Sequence, residues 1–274
     1  MCRVENGVRV EERVLEVDAG RRSAARIWVG PRSRAKLLLL HGMGQYGGRF
    51  DALARHLASI GVTVTAYDQR GHGRGPGRTG WLGDFDQLLD DLQTVVEQAA
   101  REQPELPLLL MGHSMGGLVV LAYLLDRRPL PDMAVLSSPA IVPLIDDEDG
   151  LDPTRLSRDP AAWRSYMRDP LLLRERVQPE LYHRLFDGLC RLPGRAAELS
   201  LPLLLVQGSD DRLCSSEGAV EYLEQASSAD LDLRVYEGGR HELFADTIRE
   251  RVSAELGEWI LERVPRNSAS MVSE

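Results

Sequence analysis

The sequence predicts an α/β fold: a mostly parallel, eight-stranded sheet with helices on both faces and a small helical cap inserted late in the chain. Three observations predict it. First, after an N-terminal β section, short apolar strand-like runs alternate with segments of helical periodicity, which implies parallel strands joined by crossover helices. Second, the alternation breaks once, over residues 140–198, where short charged helical patches replace it. Third, Gly112-His113-Ser114-Met115-Gly116 sits between the strand-type run Leu108-Leu109-Leu110 and the apolar stretch Gly117–Leu125, which reads as a buried helix. A serine in so tight a strand-to-helix turn is held in a strained backbone, at a cost of about 1–3 kcal/mol. A side chain at Gly112 or Gly116 would collide with the neighbouring strand or helix.

The elements follow in order. Residues 8–17 and 22–29 read as antiparallel strands around Asp18-Ala19-Gly20. Lys36–Leu40 is a strand ending in the turn His41-Gly42-Met43-Gly44. A helix near 49–60 carries Leu53, Leu57 and Ile60 on one face, and Val62–Tyr67 is a strand of period two. After the loop Arg70–Gly77, Asp84 and Gln87 form a capping-box pattern ahead of the stripe Leu88, Leu92, Val95, Val96 and Ala99. Beyond the serine turn come a strand over Asp132–Ser137, then Leu203–Val206, Leu231–Val235 and a helix near 246–263. The core is therefore expected over 1–139 and 199–266. The insertion 140–198 holds the acidic run Asp146–Asp149 and helical patches over Pro160–Met167 and Pro179–Leu189, with a disordered tail over 267–274.

A chain of 274 residues suits one large core with an insertion. A net charge of −9 argues against nucleic acid as a partner. Met1–Gly7 lacks the apolar core of a signal peptide, and no apolar run approaches the roughly 20 residues that span a bilayer. Cys2, Cys190 and Cys214 are widely spaced, without disulfide or metal-site pattern, which fits a reducing compartment. A cytoplasmic protein without metal or organic cofactor is the expectation.

A serine hydroxyl needs a general base, itself oriented by a third group. In an α/β-hydrolase the chain order is serine, acid, histidine. His183 and His241 follow Ser114; His183 falls among Tyr182 and Arg184 of the insertion and reads as a surface residue, whereas His241 follows the last strand. The acid belongs after Leu203–Val206, where spacing leaves Asp210 and Asp211 open; Asp68 precedes the serine and is the weaker candidate. The competing reading makes either aspartate a helix cap and His241 a turn residue. An oxyanion hole needs two backbone N–H groups: one from Met115, the other from the loop after Leu40, where Met43 is the candidate. The His41 ring is expected to hydrogen-bond beneath that loop rather than act as a base.

These segments together resemble the monoacylglycerol lipase and lysophospholipase branch of the α/β-hydrolases, close kin to the serine aminopeptidases. The resemblance is carried by His41–Gly44 with Gly48-Arg49-Phe50 and Leu53-Ala54, Asp68–Gly73, Asp84-Phe85, Gly112–Gly117, Gln207–Cys214, Tyr236–Gly238 and His241-Glu242. It implies that Asp211 rather than Asp210 is the acid, and it supports Met43 and Met115 as oxyanion donors. The chain departs from that branch between Ser138-Pro139 and Leu151–Pro153, where it lacks a long apolar cap helix. That departure argues against membrane docking and a deep acyl tunnel.

The expectation is a Ser114–His241–Asp211 hydrolase of carboxylic esters, acting on monoacylglycerol or lysophospholipid-type lipids of short to medium chain. Trp163, Leu171, Leu172 and Leu173 are expected to line the acyl chain. An aminopeptidase, a general carboxylesterase and a binding protein on a hydrolase fold are the alternatives. Cys214, just before an apparent helix start at Ser215-Ser216-Glu217, is either a thiol with a favoured thiolate or a buried, inert one.

Overall fold

The computed structural model describes residues 2–5, 7–18, 20–144, 152–173 and 179–265. The acidic run 146–149 and the tail 267–274 lie outside the described residues. The strands are β1 (Cys2–Glu5), β2 (Val8–Asp18), β3 (Arg21–Val29), β4 (Ala35–Leu40), β5 (Val62–Tyr67), β6 (Leu108–His113), β7 (Met133–Ser137), β8 (Leu203–Gly208) and β9 (Leu231–Tyr236). They form one sheet in the order β1-β2-β3-β5-β4-β6-β7-β8-β9. The pairs β1–β2, β2–β3 and β3–β5 are antiparallel, and every pair from β5–β4 onward is parallel. The eight expected strands are present. The addition, β1, is a four-residue edge strand paired to β2, too short to show a pattern of its own.

Two cores sandwich the sheet because side chains alternate across it. Leu37, Leu39, Leu109, Met111, Leu204 and Val206 face α1 (Asp51–Ser59) and α7 (Arg249–Arg263). Leu38, Leu40, Leu108, Leu110, Leu203 and Leu205 face α2 (Phe85–Arg101), α3 (Met115–Asp126) and α6 (Ser216–Leu223). Helix α3 is buried from Met115 to Leu125, because the insertion covers the side that the sheet does not: Leu185 and Leu192 join the same core. Burying each such Leu is worth about 1.5–3 kcal/mol.

Helix α2 is closed at both ends. Gln87 Oε1 accepts from the Asp84 N–H at 3.3 Å, the expected capping geometry. At the far end the ammonium of Lys36, itself buried, donates to the carbonyls of Ala99, Glu102 and Gln103 at 2.6, 2.6 and 2.8 Å. Ala99 O is one of the last-turn carbonyls that a helix leaves unpaired, and Glu102 and Gln103 follow the helix directly.

Between β7 and β8 lie α4 (Pro160–Arg168) and α5 (Pro179–Leu189). Asp159 starts α4 by accepting from the Ala161 N–H at 2.8 Å. This part of the insertion is fastened to the turn before α7. Arg158 pairs with the buried Asp246 at 2.7 Å, and Asp159 pairs with Arg249 at 2.7 Å. Leu156, Tyr166 and Leu172 pack together, with Tyr46 and Leu213 of the core against them. At the other end Arg191 and Arg195 reach Asp126 of α3 at 2.9 and 2.7 Å.

Candidate active site

The site is built at the carboxyl ends of β4, β6, β8 and β9. Ser114 follows β6 with φ 55° and ψ −119°, in a region that non-glycine residues avoid. The strain is held from both sides: Ser114 N–H donates to Ser137 O at 2.9 Å, and Ser114 O accepts from Ala140 N at 3.1 Å. A Cβ on Gly112 would lie 2.2 Å from Gly116 O, and one on Gly116 would lie 2.4 Å from Leu40 O. Both glycines are required by close backbone approach, as the sequence predicts. Ser114 is half-buried while its neighbours on both sides are buried.

Met115 is the first residue of α3, whose partial positive N-terminus lies beside the serine. Met43 is half-buried in the loop after β4 and packs on the α3 side of the core. His41 shapes that loop. Its Nε2 accepts from the Gln69 N–H at 2.9 Å, so its Nδ1 carries the proton and donates to Gly42 O at 2.9 Å. Burial pushes the His41 pKa down to about 4, against a smaller opposing effect from the Gly42 bond, so the ring is neutral.

His241 and Asp211 meet: His241 Nδ1 donates to Asp211 Oδ2 at 2.9 Å, and both side chains are buried. Burial favours the neutral imidazole, but the Asp211 carboxylate outweighs it and raises the His241 pKa above its ordinary value. Burial likewise disfavours the Asp211 anion. It is outweighed by His241 and by the N–H groups of Leu213 and Cys214, which donate to Oδ1 at 2.9 and 3.1 Å, so the Asp211 pKa is lowered. Asp210, which spacing left open beside it, turns outward to Arg212 at 3.1 Å and Arg240 at 3.6 Å. Asp68 accepts from the N–H groups of Gly47 and Arg74 at 2.9 and 2.8 Å.

Three residues that sequence reasoning passed over hold this arrangement. Gln207 donates through Nε2 to Asp211 Oδ2 at 2.8 Å. It is polar directly after the apolar run Leu203–Val206, a signal that could have marked it. Ser138, at φ 44°, donates from Oγ to the His241 carbonyl at 2.8 Å. His113 lays its ring against His241, centroids 4.9 Å apart, which brings His241 beside the residue preceding Ser114. Burial, with His241 adding to it, pushes the His113 pKa down to about 3, so it adds no charge beside His241.

The remaining residues fall as follows. His183 is exposed, as expected. Cys214 is buried, and burial together with the Asp211 charge pushes its thiol up. The favoured-thiolate reading of Cys214 is thereby corrected: the α6 N-terminus is close in sequence, but desolvation beside a carboxylate dominates. Leu173 donates its N–H to Gly44 O at 2.9 Å and is buried against that loop. Leu172 is buried with Leu156 and Tyr166. Leu171 lines a separate cavity of about 510 Å³ with Tyr46, Gly48 and Asp68. Trp163 is half-buried with the Arg164 guanidinium 5.5 Å from its ring centroid. The four residues expected along the acyl chain thus occupy different surroundings. Among the described residues, no group of three His, Cys, Asp or Glu side chains could hold a metal ion, and no helix is long and apolar enough to cross a membrane.

A mostly parallel sheet with helices on both faces and a strained serine between β6 and α3 defines an α/β-hydrolase. The family model described as serine aminopeptidase, S33, matches residues 31–148 and 141–248, and the chain belongs to that family. The chain is 32% identical over 248 residues to a monoacylglycerol lipase of Mycolicibacterium smegmatis, covering 83% of this chain and 88% of the relative. It is 30% identical over 254 residues to the human monoglyceride lipase, covering 84% and 83%. Its fold superposes on the crystal structure of Paleococcus ferrophilus monoacylglycerol lipase with a TM-score of 0.78 and 28% identity, covering 88% of this chain and 98% of that one.

Proposed function

We propose that the protein is a serine hydrolase of carboxylic esters, with monoacylglycerols or similar lipids of short to medium chain as substrates. The observation that carries the mechanism is the buried His241–Asp211 bond set beside the strained Ser114. The resemblance to monoacylglycerol lipases supports the substrate class.

In this reading His241 Nε2 takes the Ser114 proton as Oγ attacks the ester carbonyl, and Asp211 stabilises the imidazolium. The N–H groups of Met43 and Met115 receive the developing oxyanion, each worth about 10²–10³ in rate. His241 returns the proton to the leaving alcohol, and water then releases the acid from the acyl-enzyme. Every proton step runs through the chain's own groups. The insertion 140–198 acts as the cap. Because each buried methylene is worth about 0.8 kcal/mol, a short cap selects chain length only as far as it covers the chain. The rate should climb with acyl length to about eight to ten carbons and then flatten.

The test is twofold. A fluorophosphonate should label the parent at Ser114 and leave Ser114→Ala unlabelled; a parent that does not react removes the reading. A panel of monoacylglycerols below their critical micelle concentrations, lysophospholipids, short p-nitrophenyl esters and prolyl amides then ranks the substrate classes. A preference for prolyl amides would favour the aminopeptidase alternative. A rate still climbing steeply at sixteen or eighteen carbons would refute the short-chain reading.

A further inference from the structure

Behind the loop His41–Gly44 runs a chain of polar contacts that the mechanism above does not use. The Gly42 N–H donates to Gln45 Oε1 at 3.2 Å, and the Gln45 N–H donates to Gly42 O at 3.2 Å, so residue 45 holds the peptide groups on both sides of the Gly42 Cα. The other end of the Gln45 amide, Nε2, donates to Glu242 Oε1 at 2.6 Å. Glu242 Oε2 faces Arg49 Nη2 at 3.7 Å. Gln45 and Glu242 are both buried, at 5% and 8% exposure, so water does not substitute freely for these bonds. Glu242 is also fixed through its backbone: its N–H donates to Leu156 O at 2.8 Å, and its carbonyl accepts from Ala245 N at 2.9 Å.

The direction of the chain is set by chemistry. An amide group has nearly the same shape either way round, whereas a carboxylate only accepts. Beside Glu242 the Gln45 amide therefore has one orientation, nitrogen toward the carboxylate and oxygen toward Gly42. The short, charge-assisted bond to Glu242 is the stronger of its two contacts and governs the weaker one. The Gly42 peptide has little freedom besides, since a Cβ there would lie 3.0 Å from the Ser114 Cβ and 3.4 Å from Gln45 Oε1.

We infer that Glu242 is a positioning residue for the oxyanion loop: it orients the Gln45 amide, which fixes the Gly42 peptide and so aims the next N–H, that of Met43. The inference rests on the proposed roles of Ser114, His241 and Met43. On this view the residue after the base also sets the oxyanion donor, so the two halves of the site are registered to one another through one carboxylate.

The experiment compares Gln45→Met, Glu242→Gln, the double variant carrying both, and an exchanged pair, Gln45→Glu with Glu242→Gln. The substrate is a soluble short p-nitrophenyl ester, with melting temperatures and pH profiles measured alongside. Gln45→Met and Glu242→Gln should each lower kcat by about ten-fold with KM within about two-fold, since a misaimed oxyanion donor acts on the transition state. The double variant should be no worse than the poorer single one, because both act on the same link: Gln45→Met removes it, and Glu242→Gln takes away its charge and its fixed direction. In the exchanged pair the carboxylate at position 45 accepts from the Gly42 N–H and the amide at position 242 donates to it. Its kcat should return to within about three-fold of the parent, a rescue that a packing role would not produce. The exchange keeps the buried pair hydrogen-bonded, so it tests the inference even where a single variant fails to fold.

Two outcomes overturn the inference. A parental kcat in folded Gln45→Met would show that the amide does not position the loop. Equally, an acid limb of kcat/KM moved down in Glu242→Gln together with no rescue in the exchanged pair would show that Glu242 acts only by its charge on His241. Fluorophosphonate labelling of the parent at Ser114 separates this failure from failure of the reading beneath it.

Discussion

His241 Nδ1 lies 2.9 Å from Asp211 Oδ2, while the adjacent Asp210 points its carboxylate at Arg212 and Arg240. The two neighbouring aspartates should therefore separate sharply in kinetics. Asp211→Asn should lower kcat by about 10⁴ and Ser114→Ala by about 10⁶, both with folding intact. Asp210→Asn, which loses only partly exposed ion pairs away from His241, should stay within about two-fold. A larger loss from Asp210→Asn than from Asp211→Asn would reverse the assignment of the acid.

The pH dependence follows from the same contact. In the proposed mechanism hydrolysis needs the neutral His241 ring, so activity should be lost as pH falls through its pKa. Asp211 raises that pKa above the ordinary histidine value of about 6.5. The acid limb of kcat/KM should accordingly lie above that value in the parent. In Asp211→Asn the charge is gone and burial is left to act, so the limb of the residual activity should move to lower pH. A limb unmoved in that variant would mean that another group titrates.

Thiol reactivity should divide between the two cysteines whose surroundings are described. Cys190 is exposed and Cys214 is buried with its thiol pushed up. Maleimide should therefore modify Cys190 in the folded protein and leave Cys214 intact until the chain is unfolded. Peptide mass spectrometry reads the sites, and Cys214 modified at the rate of Cys190 under native conditions would contradict the burial argument.

Leu172 is buried between Leu156 and Tyr166, so its truncation should cost stability. Leu172→Ala should destabilise by about 2–4 kcal/mol, the range for a buried leucine that leaves a cavity. Calorimetry on this variant checks the value, and a melting temperature equal to the parent's would show that the insertion unfolds apart from the core.

Much of this was legible in the residues. Alternation of apolar strand with helical stripe gave the sheet, because crossover topology leaves that pattern in the chain. Glycines at 112 and 116 marked the turn that carries Ser114, because only their lack of a side chain lets Gly116 O and Leu40 O approach so closely. The choice between Asp210 and Asp211 was not legible from spacing, since both follow β8. It depends on which carboxylate Gln207, Leu213 and Cys214 turn inward. Ser138 and the Gln45–Glu242 pair were likewise hidden, because their contacts join residues 103 and 197 positions apart. The surroundings of Trp163 and Leu171–Leu173 were hidden because an amphipathic pattern in α4 does not say what its apolar face meets, and Leu171–Leu173 lie in the turn beyond its end, where no helical pattern applies.

Lys36 is the only lysine in the chain, and its ammonium is spent on three carbonyls at the end of α2. All other Lys and Arg positions, of 33 in total, are arginine. Acylating reagents and lysine-modifying enzymes therefore find no lysine amine to attack on the folded surface. The positive charge that surface carries is guanidinium, which stays protonated to about pH 12 and beyond. Coupling to a support or dye through side-chain amines would need a lysine placed by design, and its position could be chosen freely, with no background from native side chains on the folded surface.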